Sequence, residues 1–91
     1  MSDAVRTVLI SNKRGLHARA SAKFVTMAAG IGVRVEVEKD GSKVVGTSIM
    51  GLMMLAAGIG TTIKVEATGS EASAAIAALT TLVESGFGEE D

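Results

Sequence analysis

The strongest constraint on the fold is a strict alternation of apolar and charged residues in two short segments. Valine alternates with charged residues in GVRVEVE, residues 32–38, and a similar pattern returns in TTIKVEA, residues 61–67. Because successive side chains of a strand point to opposite faces of a sheet, both segments predict strands with one buried face and one wet face. The residues expected to face inward are Val33, Val35, Val37, Ile63, Val65 and Ala67. Helices can therefore cover only one side of the sheet.

Two elements are predicted ahead of these strands. AVRTVLI, residues 4–10, is rich in β-branched and aliphatic residues and predicts a first strand. Apolar residues at positions 20, 24, 28 and 31 recur at helical spacing, which predicts a first helix from Ala18 to about Ala29. Gly30 is the expected stop of that helix.

A hairpin and a short helix are predicted in the middle of the chain. The pair Asp40-Gly41 can take the positive φ angles of a tight turn, so SKVVG, residues 42–46, should return antiparallel to the strand before it. Thr47 or Ser48 can cap a second helix, which runs to about Leu55.

A third helix is predicted after Ser70, with Gly86 at the place of a C-cap. Its apolar stripe consists of Ala72, Ala75, Ile76, Leu79, Leu82 and Val83. A chain of 91 residues cannot divide its apolar surface between two stable cores, so residues 1–91 are expected to form a single domain. The predicted class is α+β, an open-faced β-sandwich of order βαββαβα, in which three helices cover one face of a four-stranded antiparallel sheet.

Composition argues against several classes of function. Cysteine is absent and histidine occurs once, so we expect no disulfide and no metal site, and a reducing cytoplasm fits best. The chain has no Trp and no Tyr, which leaves little platform for stacking bases and disfavours nucleic-acid binding. The longest apolar run, residues 49–60, is too short to cross a bilayer, and the N-terminus does not resemble a signal peptide. We therefore expect a cytoplasmic protein with no cofactor and no membrane insertion.

The single histidine, His17, is predicted at the start of the first helix. It lies in a basic stretch with Lys13, Arg14, Arg19 and Lys23, whereas the C-terminus is acidic. Unsatisfied backbone N–H groups and the positive end of the helix dipole suit an anion there, and a phosphoryl group above all. The same positive end disfavours protonation of the imidazole, and a neutral imidazole has a lone pair with which to attack phosphorus.

The neighbours of His17 allow two interpretations. Arg19 could fork two hydrogen bonds onto phosphate oxygens, and Gly15 allows a sharp turn with close backbone approach. A simpler interpretation makes His17 a surface residue at a helix start that happens to have an arginine neighbour. No Ser-His-Asp arrangement is predicted, because nothing in the sequence marks an acid as placed to orient the imidazole.

Two separated segments carry a resemblance to a known family. GLHARASAKFV, residues 15–25, looks like the active-site signature of the histidine-containing phosphocarrier HPr, in which a Gly-Leu-His-x-Arg run starts the first helix. GTSIMGLMMLAA, residues 46–57, resembles the family's Ser-Ile-Met-Gly segment on the second helix. The similarity spans about residues 4 to 87 and includes the βαββαβα order. One departure is Ala20, which stands where the family usually has a proline.

The resemblance implies a phosphoryl carrier of the phosphoenolpyruvate-dependent phosphotransferase system, with a phosphohistidine intermediate, rather than a stand-alone enzyme. Enzyme I would phosphorylate His17 on Nδ1, and Arg19 would stabilise the phosphate. An EIIA-type protein of the sugar or the nitrogen system would then accept the phosphoryl group from a monomeric carrier. The alternative is a small α+β ligand-binding or interaction module without phosphoryl transfer.

The second segment implies a regulatory site and a docking surface. Ser48 matches the serine that the ATP-dependent HPr kinase/phosphorylase modifies in some members of the family. If Ser48 is such a substrate, that kinase is a further partner. Capping of the second helix is the other role open to Ser48, and the two roles are compatible. The residues expected to dock partners are Ile49, Met50 and Met53, with Leu52 and Leu55 pointing into the core. The alternative is that every methionine fills the core.

Overall fold

A four-stranded antiparallel sheet is the central element of the computed structural model, which describes residues 3–89. Its strands are β1 (Ala4–Leu9), β2 (Arg34–Lys39), β3 (Ser42–Val45) and β4 (Thr62–Thr68), in the spatial order β1-β4-β2-β3. The helices are α1 (Ala18–Ile31), α2 (Ile49–Met54) and α3 (Ala72–Glu84), and a 3-10 turn follows at Gly86–Gly88. The predicted βαββαβα order and open-faced α+β class are confirmed.

The inner face of the sheet supplies half of the core. Register pairs Val37 with Val65 and Val35 with Ala67 across the two central strands, and all four side chains are buried. Val33 precedes β2 and is half-buried against the same core. The two phenylalanines lie among these aliphatic side chains from the helical side. Each fully buried large apolar side chain contributes about 1.5–3 kcal/mol relative to an exposed position.

The outer face of the sheet carries pairs of opposite charge. The ammonium of Lys43 lies 2.8 Å from a carboxylate oxygen of Glu66, and the ammonium of Lys64 lies 3.6 Å from Glu38. Such cross-strand pairs contribute a few tenths of a kcal/mol to about 1 kcal/mol each and keep the uncovered face compatible with water. The alternation in β2 and β4 therefore separates the two faces as predicted.

Helix α1 is longer than predicted. It continues through Gly30 to Ile31, and Gly32 follows as its C-cap in the left-handed region, with φ 78°. The prediction that Gly30 stops the helix is wrong. Both residues are glycines, but only Gly32 has the positive φ that ends a helix without the steric cost of a Cβ atom.

The turn and cap between β2 and α2 follow the sequence closely. Asp40 and Gly41 have φ of 50° and 84°, the signs that a two-residue hairpin turn requires. Ser48, rather than Thr47, caps α2, because its Oγ accepts a hydrogen bond of 3.0 Å from the Gly51 N–H. The remaining element bounds differ from the predicted ones by one or two residues.

The segment after α3 was not predicted. Gly86 follows the C-cap of α3 with φ 68°, which fits the cap role expected for it, but Phe87 and Gly88 also have positive φ, 59° and 71°. The left-handed region costs a residue with a Cβ about 1–2 kcal/mol. Burial of the Phe87 ring, which is 1% exposed, offsets this cost by about 1.5–3 kcal/mol. The anchored ring directs the chain back across the start of α1.

A pair of glycine substitutions tests the observed end of α1. Gly30→Ala should raise the free energy of unfolding by about 0.5–1 kcal/mol, because Gly30 lies inside the helix and the added methyl meets no atom within 4 Å apart from adjacent residues and the backbone of its own helix. Gly32→Ala should lower it by about 1–2 kcal/mol through left-handed strain. Urea unfolding measures both, and two changes of the same sign would contradict the assigned helix end.

Candidate functional site

His17 occupies the N-cap of α1. Its backbone is extended, with φ −73° and ψ 179°, and its Nδ1 accepts a hydrogen bond of 3.3 Å from the backbone N–H of Arg19. The His17 carbonyl accepts the N–H of Ser21 at 2.9 Å, which begins the helical ladder. The imidazole thus takes the place of the usual hydroxyl or carboxylate cap, and its Nδ1 lone pair faces the positive end of the helix.

The loop before His17 depends on Gly15. Gly15 has φ 61°, and a Cβ placed on it would lie 2.2 Å from the carbonyl oxygen of Ala57. The next residue, Leu16, donates its N–H to that same carbonyl at 2.9 Å. The close backbone approach expected at Gly15 is therefore present, and it joins the histidine loop to the segment after α2.

Two residues near the start of α1, Ala20 and Ser21, are buried. Ala20, which stands at the usual proline position of the family, is fully buried and precedes the first amide that bonds within the helix. Because the amide of residue 20 makes no helical hydrogen bond, proline and alanine are both compatible with the start of the helix. Ser21 is also buried, and its hydroxyl donates to the carbonyl of Leu16 at 3.1 Å. These contacts fix the backbone that carries His17.

The second ring nitrogen of His17 contacts an acid that sequence reasoning missed. His17 Nε2 is hydrogen-bonded to the carboxylate of Glu89, which lies 72 positions away in the chain. Nothing in the sequence marks an acid as placed to orient this imidazole, and the contact with Glu89 is visible only in the structure. The ring and the carboxylate are 21% and 14% exposed, respectively, so the pair is partly shielded from water. The acidic C-terminus was the only signal in the sequence, and its last residues, Glu90 and Asp91, lie outside the described part of the chain.

Glu89 is itself held by several contacts. The amide of Asn12, a side chain 2% exposed, donates to Glu89 Oε1 at 3.0 Å and to the Gly15 carbonyl at 2.9 Å. Lys23 donates to the carbonyl of Phe87 at 2.7 Å and so ties the C-terminal turn to α1. Hydrogen bonds from Asn12 and from His17 lower the pKa of the Glu89 carboxyl. The carboxylate is therefore ionised at neutral pH.

An open, positively charged cleft lies in front of the imidazole. Its volume is about 470 Å³, and it is lined by Lys13, Arg14, His17, Arg19, Lys23, Gly88 and Glu89. Within residues 3–89 the structure records no ion pair for the guanidinium of Arg14 or Arg19. The basic stretch seen in the sequence is thus gathered around one nucleophilic nitrogen. Such a cleft can bind a phosphoryl dianion, and the described residues contain no cluster suited to a metal ion.

The predicted docking residues are exposed. Ile49 and Met53 are each 40% exposed and Met50 is 69% exposed, while Leu52 and Leu55 are buried as expected. Met54, which was not among the predicted docking residues, is 79% exposed. Met53 and His17 both line a second hollow of about 310 Å³, so the apolar patch adjoins the histidine through Met53.

Comparison with known proteins agrees with this fold. The family model described as PTS HPr component phosphorylation site matches residues 4–85. Phosphocarrier protein HPr of Neisseria meningitidis serogroup A is 50% identical over 84 residues, covering 92% of this chain and 94% of the relative. Phosphocarrier protein NPr of Shewanella violacea is 37% identical over 89 residues, covering 98% of each. A crystal structure of HPr-C-His from Thermoanaerobacter tengcongensis superposes with a TM-score of 0.91 at 45% identity, covering 97% of this chain and 99% of that one.

The fold and these matches define the class of protein as a phosphocarrier of the phosphotransferase system. Within that class, the chain belongs to the HPr family, since the family model covers most of its length and the relatives align nearly end to end.

The lowered pKa of Glu89 predicts how its contacts contribute to stability. A carboxyl whose pKa is lower in the folded state stabilises the protein above its unfolded pKa, and this contribution disappears as the pH falls through the folded pKa. Wild type should therefore be more stable than Glu89→Gln near neutral pH, and the difference should vanish in acid. Urea unfolding across the pH range measures this. A difference that stays constant down to the lowest pH would contradict the ionised contact.

Proposed function

We propose that His17 accepts a phosphoryl group on Nδ1 from phospho-Enzyme I and passes it to an EIIA-type protein. The observation that carries this proposal is the direction of Nδ1, whose lone pair faces the N-terminus of α1 beside a cleft lined by cations. A phosphoryl group bound to Nδ1 would lie near the backbone N–H groups of the helix start and near the cationic side chains of the cleft. The ring is also partly exposed, so two partner proteins can reach it in turn.

The transfer step needs little from the carrier beyond position and charge. The Nδ1 lone pair forms a bond to phosphorus while the bond between phosphorus and the donor breaks. The N–H of Arg19, which donates to Nδ1 over a long 3.3 Å in the free protein, can then donate to a phosphoryl oxygen instead. The Arg19 guanidinium supplies a bidentate contact to the remaining oxygens. Attack by the acceptor on the same phosphorus reverses these events.

The apolar patch of Ile49, Met50 and Met53 is the proposed docking surface for both partners. Its exposure and its position beside His17 support this role. Flexible methionine side chains adapt to differently shaped surfaces, which suits a carrier that meets a donor and an acceptor. The proposal covers the sugar and the nitrogen branches, because relatives named HPr and NPr both align with the chain.

We place this carrier in the cytoplasm, as a monomer that meets one partner at a time through its single histidine. No helix within residues 3–89 has the length and apolar character to span a bilayer.

Ser48 is the proposed regulatory site, with HPr kinase/phosphorylase as the enzyme that modifies it. Its hydroxyl caps α2 and is half-buried next to the exposed Ile49 and Met50. A phosphate there would add a charge of about −2 at the edge of the docking patch. Binding of an acidic partner would weaken without any refolding of the carrier.

Phosphorylation by phosphoenolpyruvate and Enzyme I tests the main proposal. Wild type should gain one phosphate per chain that is stable in alkali and lost in acid, as a phosphoramidate is, and His17→Ala should gain none. Intact-protein mass spectrometry before and after acid treatment measures both. Absence of phosphate on wild type, under conditions that charge a known HPr, would leave an interaction module without phosphoryl chemistry as the better account.

A second labelling experiment tests the regulatory site. HPr kinase/phosphorylase with ATP should place an acid-stable phosphate on wild type and on Thr47→Ala, whose lost hydroxyl is the neighbouring one. Ser48→Ala should remain unlabelled. Retention of the label in Ser48→Ala would overturn the assignment. Loss of the α2 cap should also lower the stability of Ser48→Ala by about 1 kcal/mol, so the assay is run well below its melting temperature.

A further inference from the structure

We propose that Glu89 is a positioning residue for phosphoryl transfer, which holds the His17 imidazole in its Nε2–H tautomer and so keeps the lone pair on Nδ1. This inference rests on the proposed role of His17 as the acceptor. Glu89 lies outside the family signature, since the family model ends at residue 85. Its hydrogen bond to His17 assigns the role.

Both neighbours of the imidazole require the same tautomer. A neutral imidazole has one N–H donor and one acceptor nitrogen, and an ionised carboxylate can only accept. The hydrogen shared by His17 and Glu89 must therefore belong to Nε2. On the other side, Nδ1 faces a donor, the backbone N–H of Arg19. In the opposite tautomer, the Nδ1–H group would face the N–H of Arg19, so two donors would meet. The Nε2 lone pair would face the Glu89 carboxylate, so two acceptors would meet.

Asn12 fixes the carboxylate in this position. Its amide nitrogen donates to both Glu89 and the Gly15 carbonyl, and the side chain is buried. A reversed amide would turn its oxygen toward two acceptors, so only one orientation is compatible with these contacts. The loop that carries His17 therefore also holds the group that orients it.

The same carboxylate matters once phosphorus is bound. When Nδ1 bonds to phosphorus and Nε2 keeps its hydrogen, the ring carries a positive charge and no proton leaves it. Glu89 accepts a hydrogen bond from the Nε2–H group, and its negative charge balances the positive charge of the ring. Stabilisation of an imidazolium by a buried or half-buried carboxylate is the function of the acid in serine hydrolase triads.

Because the cleft is positively charged, the direction in which the phosphorylation rate changes when Glu89 is removed tests the proposal. Lys13, Arg14, Arg19 and Lys23 line the cleft around the pair of His17 and Glu89. If Glu89 acted only as a negative charge among these cations, its removal would strengthen the attraction for a phosphoryl dianion and speed phosphorylation. If Glu89 positions the imidazole, its removal slows phosphorylation.

The experiment compares wild type with Glu89→Gln and with Glu84→Gln. Glu84 is exposed at the end of α3, and its substitution makes the same charge change without touching His17. Long-range ¹H–¹⁵N spectra of the imidazole are recorded without any partner at about pH 8, where an ordinary histidine is neutral. Wild type and Glu84→Gln should show the Nε2–H tautomer, and Glu89→Gln should show a mixture of both tautomers.

The rate of phosphorylation by Enzyme I is the second readout. Glu89→Gln should be about 10- to 100-fold slower than wild type, the range of losses seen when the hydrogen-bond partner that orients a metal-bound histidine is removed, and Glu84→Gln should match wild type. Glu89→Asp, which restores the charge on a shorter arm, should recover part of the rate. An Nδ1–H tautomer in wild type, or an unchanged or faster rate in Glu89→Gln, would overturn the proposal. A wild type that shows the expected tautomer but gains no phosphate would instead count against the function proposed for His17.

Discussion

The cap that His17 forms on helix α1 is the interaction on which the site depends. One imidazole has to satisfy the helix through Nδ1 and a carboxylate through Nε2, and these two contacts fix the ring in a single orientation. Other contacts in the region hold the loop and the carboxylate in place around the ring. Gly15 lets the loop approach the backbone at Ala57, and Asn12 ties the loop to the carboxylate. A histidine that caps a helix therefore has its Nδ1 at a helix N-terminus, where backbone N–H groups and the helix dipole favour an anion.

A phosphoryl carrier needs an accessible nucleophile on a rigid support, and the fold separates these two demands. The ring of His17 is partly exposed, but the residues under it, including Leu16, Ala20 and Phe24, are buried. The two proposed partners can therefore reach the ring without disturbing the core. The cations of the cleft add electrostatic attraction, whereas Glu89 opposes it. Its hydrogen bond to the imidazole gives this carboxylate a function within the cleft.

Much of this arrangement follows from local sequence patterns. Alternation in β2 and β4 determines which face of the sheet is buried, the Asp40-Gly41 pair determines the hairpin, and Ser48 caps α2 through an ordinary side-chain contact. The basic stretch around His17 marks the site because the residues that line it are close in the chain. These features depend on contacts over a few positions, which a sequence displays directly.

The features that could not be predicted depend either on a choice between two similar residues or on contacts between residues far apart in the chain. Gly30 and Gly32 are equally able to end a helix, and tertiary packing of Ile31 carries α1 past the first of them. The turn at Gly86–Gly88 requires a phenylalanine with positive φ, which propensity disfavours and only burial of the ring explains. Glu89 reaches His17 through that turn, so neither a motif nor a spacing could indicate the contact.

The most direct test of the central claim is to locate the phosphorus on the ring and to follow the helix amides around it. Spectra of the ¹⁵N-labelled protein before and after phosphorylation would show which imidazole nitrogen couples to phosphorus. We predict coupling to Nδ1 of His17, with the largest amide shift in the described chain at Arg19, whose N–H passes from the imidazole to the phosphoryl group. Coupling to Nε2, or an Arg19 amide that does not move, would contradict the account.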